Sequence, residues 1–367
     1  MIALWVALGA PVLLSVALRV GADTFAAVVP ARAAVRLLPL AALACALGTG
    51  LAICVLTLFV LARGRPVAEV GRWSTAALPD VWVPWPTALV GAVAVAGLLG
   101  LAGRHAARAG WQLWLAAEVC HELGDPVAAG QAGDPSVWTV VRDDRPDAYA
   151  VPALGGRIVV STGMLDALDT RERQVLFAHE ASHLRNRHHL WIQAAHIAAA
   201  ADPLLRGLPA AVGLAAEREA DADAVRAVGS AAFVARTLSR AALVRSQRPA
   251  AGSCSAPTPI QLAATGSDVV RRVRVLMDPP GLLSSAGAFL ALLGITVAVL
   301  TSALAGAQLT EHRFEEARVA NISATAGIGP TAQSRTARNS GAASGMPAMG
   351  VRPERPTLGT GLTAPAR

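Results

Sequence analysis

Residues 176–189 read LFAHEASHLRNRHH, and the reading of the whole chain turns on the five residues at the centre. His179, Glu180, Ala181, Ser182 and His183 spell H-E-x-x-H. On a helix, residues four apart share a face, so His179 and His183 can aim at one point and hold a single Zn²⁺. Glu180 lies beside that face, placed to take a proton from a water on the metal. A solvated helix with two ordinary histidines satisfies the same five letters, so the flanks must decide.

The surrounding composition is that of a membrane protein. Hydrophobic residues make up 54% of the 367 and charged residues 16%, an unusual balance for a soluble domain. The net charge of +7 is carried by arginine, with no lysine in the chain. The arginines are dispersed and form no basic block with interleaved aromatics, which excludes a nucleic-acid surface and leaves membrane-flanking charge. The four cysteines, Cys45, Cys54, Cys120 and Cys254, contain no C-x-x-C pair. Neither a zinc ribbon nor a disulfide framework is expected, and the first three read as small buried hydrophobes.

Read in order, the chain predicts a mainly α membrane protein with four transmembrane helices. Residues 2–18, 37–61 and 81–103 are apolar runs of spanning length, and together they make a three-span membrane region over 1–103. No basic segment precedes the first run, so it reads as a retained anchor rather than a signal peptide. Trp82 and Trp85 mark an interface at the start of the third. Residues 104–280 form an α+β domain inserted between spans three and four. It opens with a helix over 110–123, followed by short strands at 136–141, 148–151 and 157–161. Asp169 or Thr170 caps a helix running to about Ala200, with Glu172 on its first turn. Residues 190–216 are nearly apolar but must turn back as a hairpin if later residues are to complete the site. A helix over 216–243, a loop over 247–267 and a basic helix over 268–277 follow. Residues 281–305 are the fourth span, and 306–367 read as a disordered tail. Arg271, Arg272 and Arg274 precede that span, whereas Glu311, Glu315 and Glu316 offset Arg313 and Arg318 after it. The 104–280 domain is therefore expected in the cytoplasm and the tail outside a multi-pass cell-membrane protein.

A catalytic zinc takes three protein ligands and keeps a position for water. Residues 216–225, AEREADADAV, offer an acidic pair four residues apart in two registers: Glu217 with Asp221, or Glu219 with Asp223. In either, one carboxylate can bind the metal and the other can orient a ligand histidine. Spacing alone leaves both registers open. His188, His189 and His196 read as solvated or interfacial, and the lone tyrosine, Tyr149, as packing.

Four pieces, GGRIVVSTGML, ERQVLFAHEASHLRNRHH, EREADADAVRAVG and RRVRVLMDPP, resemble the gluzincin-type membrane metallopeptidases of the BlaR/MecR family and the related heat-shock and CAAX prenyl membrane proteases. The resemblance implies one Zn²⁺ per chain on His179, His183 and Glu217, with Asp221 behind a histidine, Glu180 as general base, and Glu219 with Asp223 as the alternative register. It also implies that Arg157, Ile158, Val159, Val160 and Ser161 form an edge strand for an extended substrate. The function implied is a membrane-bound zinc endopeptidase acting on a protein or peptide, such as a winged-helix repressor, in a signal-transduction role. Quality control of membrane proteins and a non-enzymatic signalling or scaffold protein on a degenerate protease fold are the alternatives. A transporter is the weakest reading, since the spans carry no charge pairs. Two departures narrow the likeness. Gly213 and Leu214 stand where the heat-shock and CAAX relatives carry a Ser-Arg pair, which weakens a prenyl substrate. No S-x-x-K follows the last span and the tail is short and polar, so a penicillin-binding sensor is not expected.

Overall fold

The structure, a computed structural model, describes residues 2–79, 84, 86–122, 137–152, 156–246, 266–278 and 280–326. The interface tryptophans Trp82 and Trp85, most of the 247–267 loop and the tail beyond 326 lie outside the described residues. So do the side chain of Cys120 and all of Cys254.

Among the described residues, four helices are long and apolar enough to cross a membrane. They are α1 (Ile2–Val28), α2 (Ala31–Ala62), α4 (Pro86–Glu122) and α11 (Leu282–Thr325), with the short α3 (Arg65–Gly71) after α2. Each outruns the apolar stretch that signals it, because helix continues wherever no breaker intervenes. In α4 the span and the helix expected over 110–123 are one rod, with Trp111 and Trp114 exposed on it. The tail expected to be disordered from 306 is helical to Thr325. This stretch is ordered by contact with the far end of α2. Phe314 stacks on Phe59 at 5.5 Å and meets Trp73 edge-on at 5.0 Å. The backbone N–H of Ser74 donates to the carbonyl of Ala317. Cys45 is buried as expected, but Cys54 is exposed on α2.

The inserted region holds a three-stranded sheet of β1 (Val137–Val141), β2 (Ala148–Val151) and β3 (Arg157–Ser161), in the order β1-β3-β2. β1 runs parallel to β3 and β2 antiparallel, with Thr139 and Tyr149 both opposite Val159. The strand 157–161 is therefore the centre of the sheet and not its edge. Its backbone is paired on both sides, and Ile158, Val159, Val160 and Ser161 are all buried. A strand buried on both faces is what a continuous apolar run such as Ile-Val-Val serves.

The helices of this region are α5 (Thr162–Ala167), α6 (Thr170–Arg185), α7 (His188–Ala201), α8 (Leu208–Val228), α9 (Ala231–Ser246) and α10 (Gly266–Met277). α6 starts on a capping box: Asp169 Oδ1 accepts from the Glu172 N–H at 2.8 Å, and Glu172 Oε2 accepts from the Asp169 N–H at 3.0 Å. The single helix expected from 170 to 200 is two. Asn186 and Arg187 break it, Arg187 standing in the left-handed region at φ 52°. The 216–243 helix is likewise two, divided where Gly229 adopts φ 81°. A cap in that conformation favours glycine. The 190–216 stretch does turn back. α7 ends at Asp202, whose Oδ1 accepts from the Leu204 N–H, and a 3₁₀ turn over Pro203–Leu205 leads into α8.

α7 and α8 do not form a domain apart from the long apolar helices. Leu18, Leu38, Ala195, Leu208, Val212 and Leu292 belong to one buried cluster built from α1, α2, α7, α8 and α11. The sheet packs separately, through Ile158 and Val160 onto Phe177 and Ala181 of α6 and Ala241 of α9.

Candidate metal centre

The site lies where α6 crosses α8. His179 and His183, one turn apart on α6, bring their Nε2 atoms to 3.3 Å. From α8, Glu217 Oε2 lies 3.5 Å from Nε2 of His179, and Oε1 lies 3.6 Å from Nε2 of His183. One donor atom from each residue falls within 4.8 Å of the others, a group that could hold a metal ion. The Glu217 register is thus the one brought together with the histidines.

Glu219 and Asp223 are not part of this group. Two residues apart on a helix is about 200° around the axis, so they face away from it. Glu219 Oε2 lies 3.1 Å from Nε2 of His188, and Oε1 lies 3.6 Å from Nη1 of Arg36 on α2. Asp223 Oδ2 accepts from Ser182 Oγ at 2.7 Å and Asn186 Nδ2 at 3.1 Å, and Oδ1 pairs with Arg226. That set ties the end of α6 to α8.

Behind the donors sits Asp221, whose Oδ1 is 3.1 Å from Nδ1 of His179. The contact is off the line of a good hydrogen bond, leaving Nδ1 without an aligned partner; it is best described as a close charge contact. Its sense is clear, because in the neutral ring a carboxylate at Nδ1 draws the proton there and leaves Nε2 free to face a metal. Arg272 of α10 holds the acidic pair in place. Its Nε and Nη2 donate to the two Asp221 oxygens at 2.9 and 2.5 Å, and Nη1 lies 2.7 Å from Glu217 Oε2.

These charges set the protonation of the metal-free cluster. Burial opposes a proton on His179, but Asp221 and Glu217 outweigh it and raise its pKa to about 9. Burial drives His183 down to about 3, against the pull of Glu217. Burial would also raise the Glu217 and Asp221 carboxyls, yet Arg272 and the histidines hold both below the usual range. Two imidazole nitrogens facing each other at 3.3 Å repel unless a cation or a proton lies between them. Nitrogen and carboxylate donors are the set that divalent zinc takes, so the residues fit a metal. Glu180, one position along from His179, is buried, and burial lifts its carboxyl to about 7.

Sequence reasoning missed two contributors. Arg272 served there as a topology marker and as part of RRVRVLMDPP, without a role in the site, and nothing local links it to a helix some fifty residues upstream. His188 read as solvated or interfacial, but it is almost fully buried, at 1% exposure. Its partner Glu219 was visible as half of the other register. The strand Arg157–Ser161 packs beneath α6 and contributes none of the three donors. Tyr149 lies half-buried on β2.

Residues 113–279 match the family model of Peptidase family M48. The matched segment contains every donor described above and supports a metallopeptidase of that family. Neither the curated proteins nor the solved structures gave a match to the chain.

Proposed function

We propose that the protein is a membrane-bound zinc-dependent endopeptidase. The observation that carries this reading is the convergence of His179 Nε2, His183 Nε2 and the Glu217 carboxylate beside a buried glutamate titrating near neutrality. His179, His183 and Glu217 would hold one Zn²⁺ per chain. Such an ion acidifies a bound water and polarises a peptide carbonyl. Glu180 has the chemistry of the base: a carboxyl held near 7 accepts a proton from water on its Oε atoms and returns it to the leaving amine nitrogen. Asp221 keeps the His179 proton on Nδ1, and Arg272 keeps Asp221 and Glu217 ionised.

An extended substrate needs an open sheet edge, and with β3 at the centre the edges belong to β1 and β2. β2 lies along α6 over more of its length than β1, which meets α6 through Trp138 against Phe177. Arg245 Nη2 already donates to the Ala148 carbonyl. Ala150 is the next residue whose backbone faces outward, and we assign substrate pairing there.

The arginine pattern supports a cytoplasmic site with the C-terminal end of α11 outside, and the four long helices a multi-pass place in the lipid bilayer. A regulatory role on a winged-helix repressor follows from the BlaR/MecR resemblance, and membrane-protein quality control is the other substrate class. A degenerate, non-enzymatic scaffold has no need of the intact Glu180.

The test is zinc content and peptide cleavage by the purified protein beside Glu180→Ala. The variant should retain zinc and lose cleavage. A wild type that binds no zinc, or a variant that cleaves as well, would defeat the proposal.

A further inference from the structure

His188 opens α7 directly after the break at Arg187, and its ring is buried between α6 and α8. A buried imidazole is costly unless both nitrogens find partners. Both do. Nδ1 lies 2.9 Å from Nδ1 of His183, and Nε2 lies 3.1 Å from Oε2 of Glu219. Arg36, from membrane helix α2, stands 3.6 Å behind Glu219. The row therefore runs Arg36, Glu219, His188, His183, and ends at a donor of the metal centre.

The protons along this row can be placed one by one. An ionised carboxylate only accepts, so Nε2 of His188 carries a proton toward Glu219. A neutral His188 then has a bare Nδ1, which also only accepts. The hydrogen between the two Nδ1 atoms accordingly belongs to His183. That leaves Nε2 of His183 bare, on the side where His179 and Glu217 converge. The Glu219 carboxylate, backed by Arg36 at 3.6 Å, holds the His188 proton on Nε2.

We infer that His188 and Glu219 are positioning residues for the metal centre, fixing the orientation and tautomer of His183 so that Nε2 faces the ion. This rests on the metal-site reading above. It gives His183 a partner on the side away from the metal, as Asp221 gives His179, but by a different device: a second imidazole backed by a carboxylate. It also makes the α6–α7 break functional. A straight helix from 170 to 200 would carry residue 188 onward along the α6 axis. The left-handed Arg187 instead turns the chain so that His188 comes back against His183.

Two near-isosteric variants separate positioning from packing. In His188→Asn the amide oxygen stands close to where Nδ1 was and can accept from His183. In His188→Leu the volume is kept and the acceptor is lost. The full-length protein in detergent is stripped of metal and titrated with Co²⁺, whose visible d–d absorption reports both affinity and ligand geometry. Losing a partner behind a metal-bound histidine costs about 10–100-fold in affinity, so His188→Leu should weaken Co²⁺ binding by that factor and alter the spectrum. His188→Asn should stay close to wild type, and Glu219→Ala should weaken binding with His188 intact. Leu and Asn variants that bind Co²⁺ alike overturn the inference. Should His188→Leu fail to fold, a Glu219→Ala protein with wild-type affinity and spectrum does so equally. A wild type that gives no Co²⁺ spectrum overturns the metal-site reading and this inference with it, whereas a normal wild type with equal variants overturns this inference alone.

Discussion

Replacing Arg272 by methionine tests the charge balance of the centre most directly. Its guanidinium makes two hydrogen bonds to Asp221 and a 2.7 Å contact to Glu217, and its side chain is 12% exposed. Methionine keeps most of the apolar stem and removes the charge. The metal-free centre is then left with the Glu217 and Asp221 carboxylates facing a single imidazolium at His179. Breaking a buried pair from one side costs about 3–5 kcal/mol. Each kcal/mol lowers Tm by about 2–4 °C in a domain of 150–250 residues and by less in a longer cooperative chain, so the metal-free variant should melt several degrees, up to about 20 °C, below wild type. A bound divalent cation places charge among the same carboxylates, so the gap should narrow in the zinc-loaded proteins. The assay is thermal unfolding in one detergent at one scan rate, with chelator and with excess zinc, since unfolding of such a protein can be irreversible. A metal-free variant within about 1 °C of wild type, below the smallest loss expected for a buried pair, refutes the reasoning. So does a gap that is wider with zinc than without.

Four further outcomes are expected. Glu217→Ala should abolish stoichiometric zinc binding measured by metal analysis, while Asp223→Asn should keep the stoichiometry and lose about 1–3 kcal/mol of stability, because it weakens the bonds from Ser182 and Asn186. Glu180, with its folded pKa raised to about 7 from 4.5, contributes stability below the lower value that is lost as pH rises through the upper one. Metal-free wild type should therefore lose Tm relative to Glu180→Gln between pH 5 and 8, and a rate that needs the carboxylate should fall on the acid side at or below about pH 7. Gly229→Ala forces a Cβ into φ 81° and should cost about 1 kcal/mol in chemical unfolding, with metal content unchanged. A fragment spanning 104–280 should aggregate or bind zinc weakly in solution, since it exposes Leu205, Leu208 and Val212 and leaves Glu219 without Arg36.

What could be read from the sequence was what is local. Both histidine donors lie on one turn of one helix, so spacing alone places them together. The capping box at Asp169 and the three strands were legible for the same reason. The third donor was not, because Glu217 and Glu219 lie on opposite sides of α8 and neither side is fully open: Ala216, Glu219, Ala220 and Asp221 are buried and Glu217 is part-exposed. Hydrophobic patterning orients poorly a helix whose exposed positions, Ala210, Arg226 and Ala227, lie in its first and last turns. Strand order is likewise set by pairing between distant segments. Even so, the Ile158-Val159-Val160 run carried a signal for a central strand. The Asn186–Arg187 break left no mark at all, since arginine is a poor residue for the left-handed region. It is held there by Asn186 bridging Ser182 and Asp223 and by His188 seated against His183.

The same non-local contacts explain why the boundary drawn at residue 104 does not exist in the packing. Arg218, on the helix that carries Glu217 and Asp221, donates to the carbonyls of Ala26 and Val29 at the end of α1. Arg271, beside Arg272, pairs with Asp23 on the same helix. Arg36 reaches Glu219 from the first turns of α2. Both helices that set the acidic side of the centre, α8 and α10, are thus fastened near the α1–α2 turn, by residues next to or at the acidic and arginine side chains of the centre. Hydrogen bonds and ion pairs of this kind are weakened by shifts of an ångström or two, whereas the apolar cluster beneath them tolerates little relative movement without opening voids. A displacement of the α1–α2 pair against α8 therefore acts on Glu217, Asp221 and Glu219 together. The long apolar helices and the candidate metal centre share these contacts, so the geometry of the centre depends on how the first two helices pack.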